Sequence, residues 1–297
     1  MFMPRKVLEE KLKRILAEDV GQGDVTSAAV VPSDLTAEAA VVAKEAGIAA
    51  GIEEIVILAE SLGLSVKTEV ADGEEVRKGR VIMKISGNAQ TILSAERTML
   101  NLTSRMSGIA TTTRRLTEKL SKANSTAKIA ATRKTAPGLL YFDKKAVLIG
   151  GGDPHRLHLD DMILVKDNHI AIAGSVESAV KRAKQNASFS KKIEVEVTNV
   201  TDALKAAEAG ADIIMLDNFS PKQIKETVKS LKKAGFFGKI LVEISGGITE
   251  QNLLEFASTQ VNIISLGELT HSVRALDVSL EITRIGNKGK KTSSKQR

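Results

Sequence analysis

From Ala127 onward the chain alternates short apolar runs with helical stretches, and this alternation limits the available folds more than any other feature. Apolar strands read at 128–131, 162–165, 193–197, 212–216, 239–244 and 261–266. Helical periodicity reads near 175–184, 201–209, 221–233 and 249–256. Strands separated by helices of this length pair in parallel, because a crossover must carry the chain back before the next strand begins. No GxGxxG follows a strand, and Gly246-Gly247 is too short for a dinucleotide loop, so a barrel is expected rather than an open dinucleotide-binding sheet. The legible strands are fewer than the eight of a complete barrel.

The first part follows another pattern. Val7, Leu8, Leu12, Ile15 and Leu16 form a helical stripe, and the loop after it carries Asp24 and Ser27, either able to cap a turn. A strand is expected over 36–44, a helix over 52–62, and strands over 64–70 and 80–85 around Asp72-Gly73-Glu74-Glu75. The stretch DGEEVRKGRVIMKISG resembles a lipoyl- or biotinyl-carrier hairpin, but neither Lys78 nor Lys84 has the tight-turn setting of a modified lysine. A structural, sheet-forming half-domain is expected instead. A helix follows, clearest over 90–102, with Arg97 as a charge among Ile92, Leu93, Leu100 and Leu102. After Gly267 a final helix and strand should pack back on this half.

Composition excludes several functions. At 297 residues the chain can bury a proper core, but at 3% aromatic it has few platforms for stacking single-stranded nucleic acid. No apolar run approaches a membrane span, and residues 1–16 interleave Lys and Glu with apolar residues, unlike a signal peptide. With no cysteine, disulfides, thiol catalysis and Cys-ligated zinc are excluded, and a cytoplasmic location is the default. The net charge of +7 suggests nucleic acid until its distribution is considered: 284–297 holds six basic residues and no acid, leaving +1 for the rest. That tail is expected to be disordered, and specific nucleic-acid binding is not expected.

Parallel barrels place their chemistry where strands end and βα loops begin. Here the strands end in Arg133-Lys134, in Lys166, in Glu196, in Asp217-Asn218, in Ser245-Gly246-Gly247 and in Gly267. Glu194 and Glu196 share one face by the strand period, so one of the two should lie deeper in the barrel than the other. Between Ala130 and Ile170, Arg133, Lys134, Arg156 and Lys166 join His155 and His169 at loops and element ends, which implies a strongly anionic ligand. Glu196 and Asp217 offer hard oxygens suited to Mg²⁺, or else form structural ion pairs with lysines. Gly246, Gly247 and Gly267 would let backbone N–H groups approach a phosphate.

The segments TRKTAPG, GGGDPHRL and LVKDNH, in this order, resemble quinolinate phosphoribosyltransferases, and the likeness runs from Glu18-Asp19 to Asp277 through GDVTS and ERTMLN. The resemblance implies an α/β fold of type II phosphoribosyltransferase architecture. An N-terminal α+β sandwich-like domain (1–107) would precede an incomplete (β/α) barrel (108–275), a segment packing back (276–283) and the basic tail (284–297). It implies phosphoribosyl transfer from phosphoribosyl pyrophosphate to quinolinate with decarboxylation, giving nicotinate mononucleotide. Lys134, Glu196 and Asp217 would be catalytic, the two carboxylates holding Mg²⁺. Arg133, His155, Arg156, Lys166, Ser245, Gly246, Gly247, Gly267 and His271 would bind substrate. Arg97 would serve the partner's site in a homodimer or larger homo-oligomer. Pro154, Leu140 and Lys145 depart from the family's usual residues, which bears on the shape of the loop near His155. The rival activities are nicotinate phosphoribosyl transfer without decarboxylation and a Schiff-base aldolase using Lys166.

Overall fold

A computed structural model of the chain describes residues 3–287. It resolves into two compact units, one formed by the chain up to Thr111 together with the segment from Arg274 onward, the other by Thr112–Val273.

In the first unit, α1 (Arg5–Val20) buries Leu8, Leu12 and Leu16, one stripe at i, i+4, and packs against α3 (Ile52–Ser61). Between them lie α2 (Val25–Val30), β1 (Leu35–Ala43) and β2 (Gly47–Ile48). The segment expected as a capped turn is the start of α2, with the Asp24 carboxylate accepting from the Ser27 N–H at 2.9 Å. Next come β3 (Ser65–Thr68), β4 (Glu75–Val76) and β5 (Val81–Asn88). β3 and β5 pair antiparallel, while β4 leaves them to pair with β2. Lys84 lies inside β5 opposite Lys67, not at a turn tip. Then α4 (Ala89–Lys122) runs 34 residues, far beyond the 90–102 legible in sequence.

The second unit holds β6 (Lys128–Ala131), α5 (Leu140–Ile149), β7 (Ile163–Val165), α6 (Asp167–Ala173), α7 (Val176–Asn186), β8 (Ile193–Val197), α8 (Val200–Ala209), β9 (Ile213–Asp217), α9 (Pro221–Lys233), β10 (Leu241–Ser245), α10 (Leu253–Phe256), β11 (Ile263–Leu266) and α11 (Glu268–His271). Its six strands form one parallel sheet in the order β6-β11-β10-β9-β8-β7. The last strand, β11, thus returns beside the first, and the ring is open only between β6 and β7. There a single bridge, Ala130 with Asp153, covers the edge of β6. This is the expected incomplete barrel. Two of its helices, α5 and α6, are not anticipated by the sequence reading. In α5 the charged Asp143, Lys144 and Lys145 are buried beside Phe142 and Val147, so polarity does not mark which face is inward.

The last described element is β12 (Val278–Asn287), which pairs antiparallel with β1 and completes a sheet ordered β12-β1-β5-β3. The disordered tail expected from Arg284 does not begin there. Residues 284–287 belong to β12, and Arg284 sits opposite Glu38 with an ion pair of 3.5 Å. An open edge on β1 recruits them, which a count of local charges cannot foretell. The rest of that expected tail, 288–297, lies outside the described residues.

The returning segment crosses α4 in backbone contact, with the Leu276 N–H donating to the Ser104 carbonyl at 2.9 Å. A Cβ on Gly108 would lie 2.1 Å from the Arg274 carbonyl oxygen and 2.9 Å from Ala275 Cα. Gly108→Ala should therefore destabilise the protein by about 1–3 kcal/mol through overpacking against backbone, read as a lower thermal melting temperature.

Candidate active site

The barrel strands end around one cavity of about 720 Å³, a size suited to a small-molecule ligand. Of the expected site residues, the cavity gathers Arg133 and Lys134 after β6, His155 and Arg156 from the loop after α5, and Lys166 after β7. It also gathers Glu196 and Asp217 at the ends of β8 and β9, Ser245-Gly246-Gly247 after β10, and Gly267 and His271 around α11. Arg97 is not among the lining residues; it is exposed on the part of α4 that belongs to the first unit. His169 is not a lining residue; its Nδ1 accepts from the Lys166 N–H at 3.0 Å and caps α6.

Charge is distributed in layers. Inside the barrel, Glu194 of β8 and Glu243 of β10 are fully buried, and both reach the His155 Nε2, at 3.3 and 3.2 Å. Neither Glu194 oxygen meets a donor in hydrogen-bonding geometry, so the His155 charge is its partner. Glu243 also accepts from the Ser265 hydroxyl at 2.5 Å. Burial pushes the His155 pKa down, but the Glu194 and Glu243 carboxylates outweigh it and raise it to about 10. Burial likewise raises the pKa of Glu194, with Glu243 adding repulsion against the pull of His155. Although these three side chains bring ligand-type atoms within 4.8 Å of one another, a protonated imidazole fills the place a cation would take and offers it no lone pair.

Nearer solvent, Arg156 and Arg133 repel each other. Burial first, then Arg133, pull the Arg156 pKa down. Across the mouth, Lys166 Nζ donates to Glu196 Oε2 at 2.8 Å. Burial, then the Glu196 charge, raise the pKa of Asp217. Two carboxylates in mutual repulsion at an open mouth are an environment that a divalent cation relieves, and their hard oxygens suit Mg²⁺. The donor set therefore fits that ion.

The glycines at the mouth are required by space as well as torsion. Gly246 has φ +91°, and a Cβ there would lie 2.3 Å from Asn218 Oδ1 and 2.9 Å from the Asn218 backbone nitrogen. Asn218, itself at φ +59°, donates its N–H to the Ser245 carbonyl at 2.9 Å, which ties the β9 and β10 ends together. Gly267 has an ordinary φ of −69°, but a Cβ there would meet His271 Cδ2 at 3.0 Å and Lys134 Cδ at 3.1 Å. The Lys134 carbonyl in turn accepts from Thr270 Oγ1 at 2.8 Å.

Glu243, Ser265 and Lys144 contribute to this region without having been singled out by sequence. For Glu243 a signal exists: it stands two residues before Ser245 inside an apolar strand, as Glu194 stands two before Glu196.

Fold and site together define a barrel enzyme acting on a small, multiply charged anion. Two family models match most of the chain. "Quinolinate phosphoribosyl transferase, N-terminal domain" matches residues 24–107, and "Quinolinate phosphoribosyl transferase, C-terminal domain" matches residues 109–281. The chain belongs to the quinolinate phosphoribosyl transferase family. It is 48% identical over 277 residues to a probable nicotinate-nucleotide pyrophosphorylase [carboxylating] of Methanocaldococcus jannaschii, covering 92% of this chain and 96% of that one. To the protein of the same description from Methanothermobacter thermautotrophicus it is 45% identical, covering 91% and 97%. The crystal structure of NadC from Streptococcus pyogenes superposes with a TM-score of 0.88 at 34% identity, covering 96% of this chain and 99% of that one.

Because the His155 pKa is raised, its ion pairs stabilise the fold fully below the unfolded imidazole's pKa of about 6.5. That contribution is lost as pH rises through about 10. A two-dimensional NMR titration of the imidazole should show it charged throughout the neutral range. Glu243→Gln should move its titration to lower pH.

Proposed function

We infer that this chain catalyses phosphoribosyl transfer from phosphoribosyl pyrophosphate to quinolinate with loss of carbon dioxide, yielding nicotinate mononucleotide and pyrophosphate. One observation carries the reading: Arg133, Lys134, His155, Arg156 and Lys166 converge on a single cavity that also holds Glu196, Asp217 and a glycine-lined rim. Quinolinate bears two carboxylates on adjacent ring carbons, one of them next to the ring nitrogen. In this reading Arg133, Arg156 and Lys166 pair with them, and the His155 imidazolium adds a fixed charge from below. The rim of Ser245, Gly246, Gly247, Gly267 and His271 receives the sugar phosphate through backbone N–H groups, and Lys134 offsets the donor's negative charge.

Held in this way, the quinolinate nitrogen attacks the anomeric carbon as the bond to pyrophosphate breaks, and proximity lowers the barrier by removing translational freedom. In this reading Glu196 and Asp217 supply negative charge that stabilises the positive character of the sugar at that moment. The ring nitrogen is then cationic. The neighbouring carboxylate leaves as carbon dioxide, its electron pair remains on the ring carbon under the pull of that nitrogen, and a proton takes the vacated position. Glu196 and Asp217 would hold a magnesium ion, which when bound neutralises the leaving pyrophosphate.

Two other activities fit less well. Nicotinate, with one carboxylate, needs fewer cations than converge here. A Schiff-base aldolase needs a free amine at Lys166, whereas its Nζ is engaged by Glu196 at 2.8 Å. We place the reaction in the cytoplasm, as suits a cysteine-free chain in which no described helix is long and apolar enough to cross a membrane. We further propose that the working unit is a homodimer or larger homo-oligomer in which Arg97 completes the neighbouring site. An exposed arginine on a helix otherwise buried through Met99, Leu100 and Leu102 suits that task.

Quinolinate labelled in the carboxylate beside nitrogen should release labelled carbon dioxide only when phosphoribosyl pyrophosphate is present, and no release would refute the assignment. Arg133→Ala should weaken quinolinate binding by about 2–5 kcal/mol, read as a higher KM. Arg97→Ala and Lys134→Ala chains, each inactive alone, should recover activity after subunit exchange, since a mixed dimer contains one site with neither substitution. No recovery would mean that Arg97 acts within its own chain.

A further inference from the structure

Lys144 is a buried charge to which the reaction above assigns no task. It lies on α5, excluded from solvent, and its Nζ donates to the carbonyl oxygen of Pro154. Burial pulls its pKa down to about 8, with Arg133 and Arg156 adding repulsion and Asp153 and Asp161 opposing it. An ammonium in such a place costs more than an aliphatic side chain of the same volume. What it gains is control of one peptide plane.

Pro154 and His155 share that plane. Its carbonyl side is held by Lys144, and its N–H side donates to Asp153 Oδ1 at 2.7 Å. Asp153 is itself fixed to β6, donating to the Ile129 carbonyl at 2.8 Å and accepting from the Ala131 N–H at 3.0 Å. Downstream, Asp161 Oδ2 accepts from the N–H groups of Leu157 and His158 at 2.6 and 3.0 Å. The residue between these anchors, His155, has φ +54°, a left-handed conformation that a side-chain-bearing residue adopts only at a steric cost. With its preceding peptide pinned on both sides and the Leu157 and His158 N–H groups anchored downstream by Asp161, that torsion is held between two fixed points, and with it the direction in which His155 and Arg156 leave the loop. Asp153 supplies one pin from a barrel strand; Lys144 supplies the other from a helix.

We propose that Lys144 is a positioning residue for the dicarboxylate half of the site, holding the Pro154–His155 peptide so that His155 and Arg156 meet the substrate's carboxylates. The sugar-phosphate half, built on the loops after β10 and β11, does not depend on it. The proposal rests on reading the cavity as a quinolinate site.

Its test is the pair Lys144→Met, which removes the donor, and Lys144→Arg, which keeps a charged donor. Loss of one hydrogen bond from a charged group is worth about tenfold or more. In Lys144→Met the KM for quinolinate should rise by about that factor, with the KM for phosphoribosyl pyrophosphate within about twofold of wild type, and Lys144→Arg should recover part of the loss. A purely structural lysine would move both KM values together, or the melting temperature alone. Equal effects on the two substrates, an unchanged quinolinate KM, no recovery in Lys144→Arg, or failure of both variants to fold would overturn the proposal. Calorimetric titration with quinolinate separates the two levels. No binding to wild type strikes the functional reading, whereas wild-type binding retained undiminished in Lys144→Met strikes Lys144 only.

Discussion

Two carboxylates buried inside the barrel, Glu194 and Glu243, make the cationic mouth above them possible. Burial lowers the proton affinity of Lys144 and of Arg156, and the neighbouring cations lower it further, Arg133 and Arg156 acting on Lys144 and Arg133 acting on Arg156. Adding an imidazolium to such a group would be unfavourable without compensation. Glu194 and Glu243 supply it from beneath, at 3.3 and 3.2 Å from His155 Nε2, in surroundings where little water screens the interaction. The positive charge is thus built into the scaffold before any ligand arrives. A site already charged for its substrate needs little reorganisation when the substrate binds.

The parallel barrel is what brings these groups into one place. Every strand of the sheet runs the same way, so each delivers its terminal side chain to the same end. Along β8 and β10 the period of two stacks one carboxylate below another functional group, Glu194 below Glu196 and Glu243 below Ser245. The opening between β6 and β7 is equally useful. It leaves room for the loop carrying His155 and Arg156 to enter beside β6, anchored there through Asp153. A seventh and eighth strand would occupy the space this loop uses.

Much of this arrangement is legible in the linear chain. The strands of the barrel read directly, because residues such as Ile213, Ile214 and Leu216 are buried and leave continuous apolar runs. Strand-end residues follow from those runs, so Lys166, Glu196, Asp217 and Gly246 can be named without coordinates. Elements whose polarity conflicts with their burial are not legible. In α5, Asp143 and Lys144 are as buried as Phe142, and a helix with charge on its inner face carries no amphipathic stripe. The extent of α4 is hidden for a related reason: Thr103, Ser107 and Thr113 are buried polar residues along its length.

The sequence by itself determined the alternation of strand and helix, the parallel barrel it implies, and the identity of the charged groups at the strand ends. All of these depend on residue type and local spacing. Only the tertiary structure decided which of those groups touch, that β12 continues through Arg284 to Asn287 along the edge of β1, that His155 is held charged by carboxylates from two different strands, and that Lys144 on a helix grips the peptide before His155. The physical reason is that these contacts join residues from separate elements, and the energy of a buried charge depends on neighbours that chain order does not name.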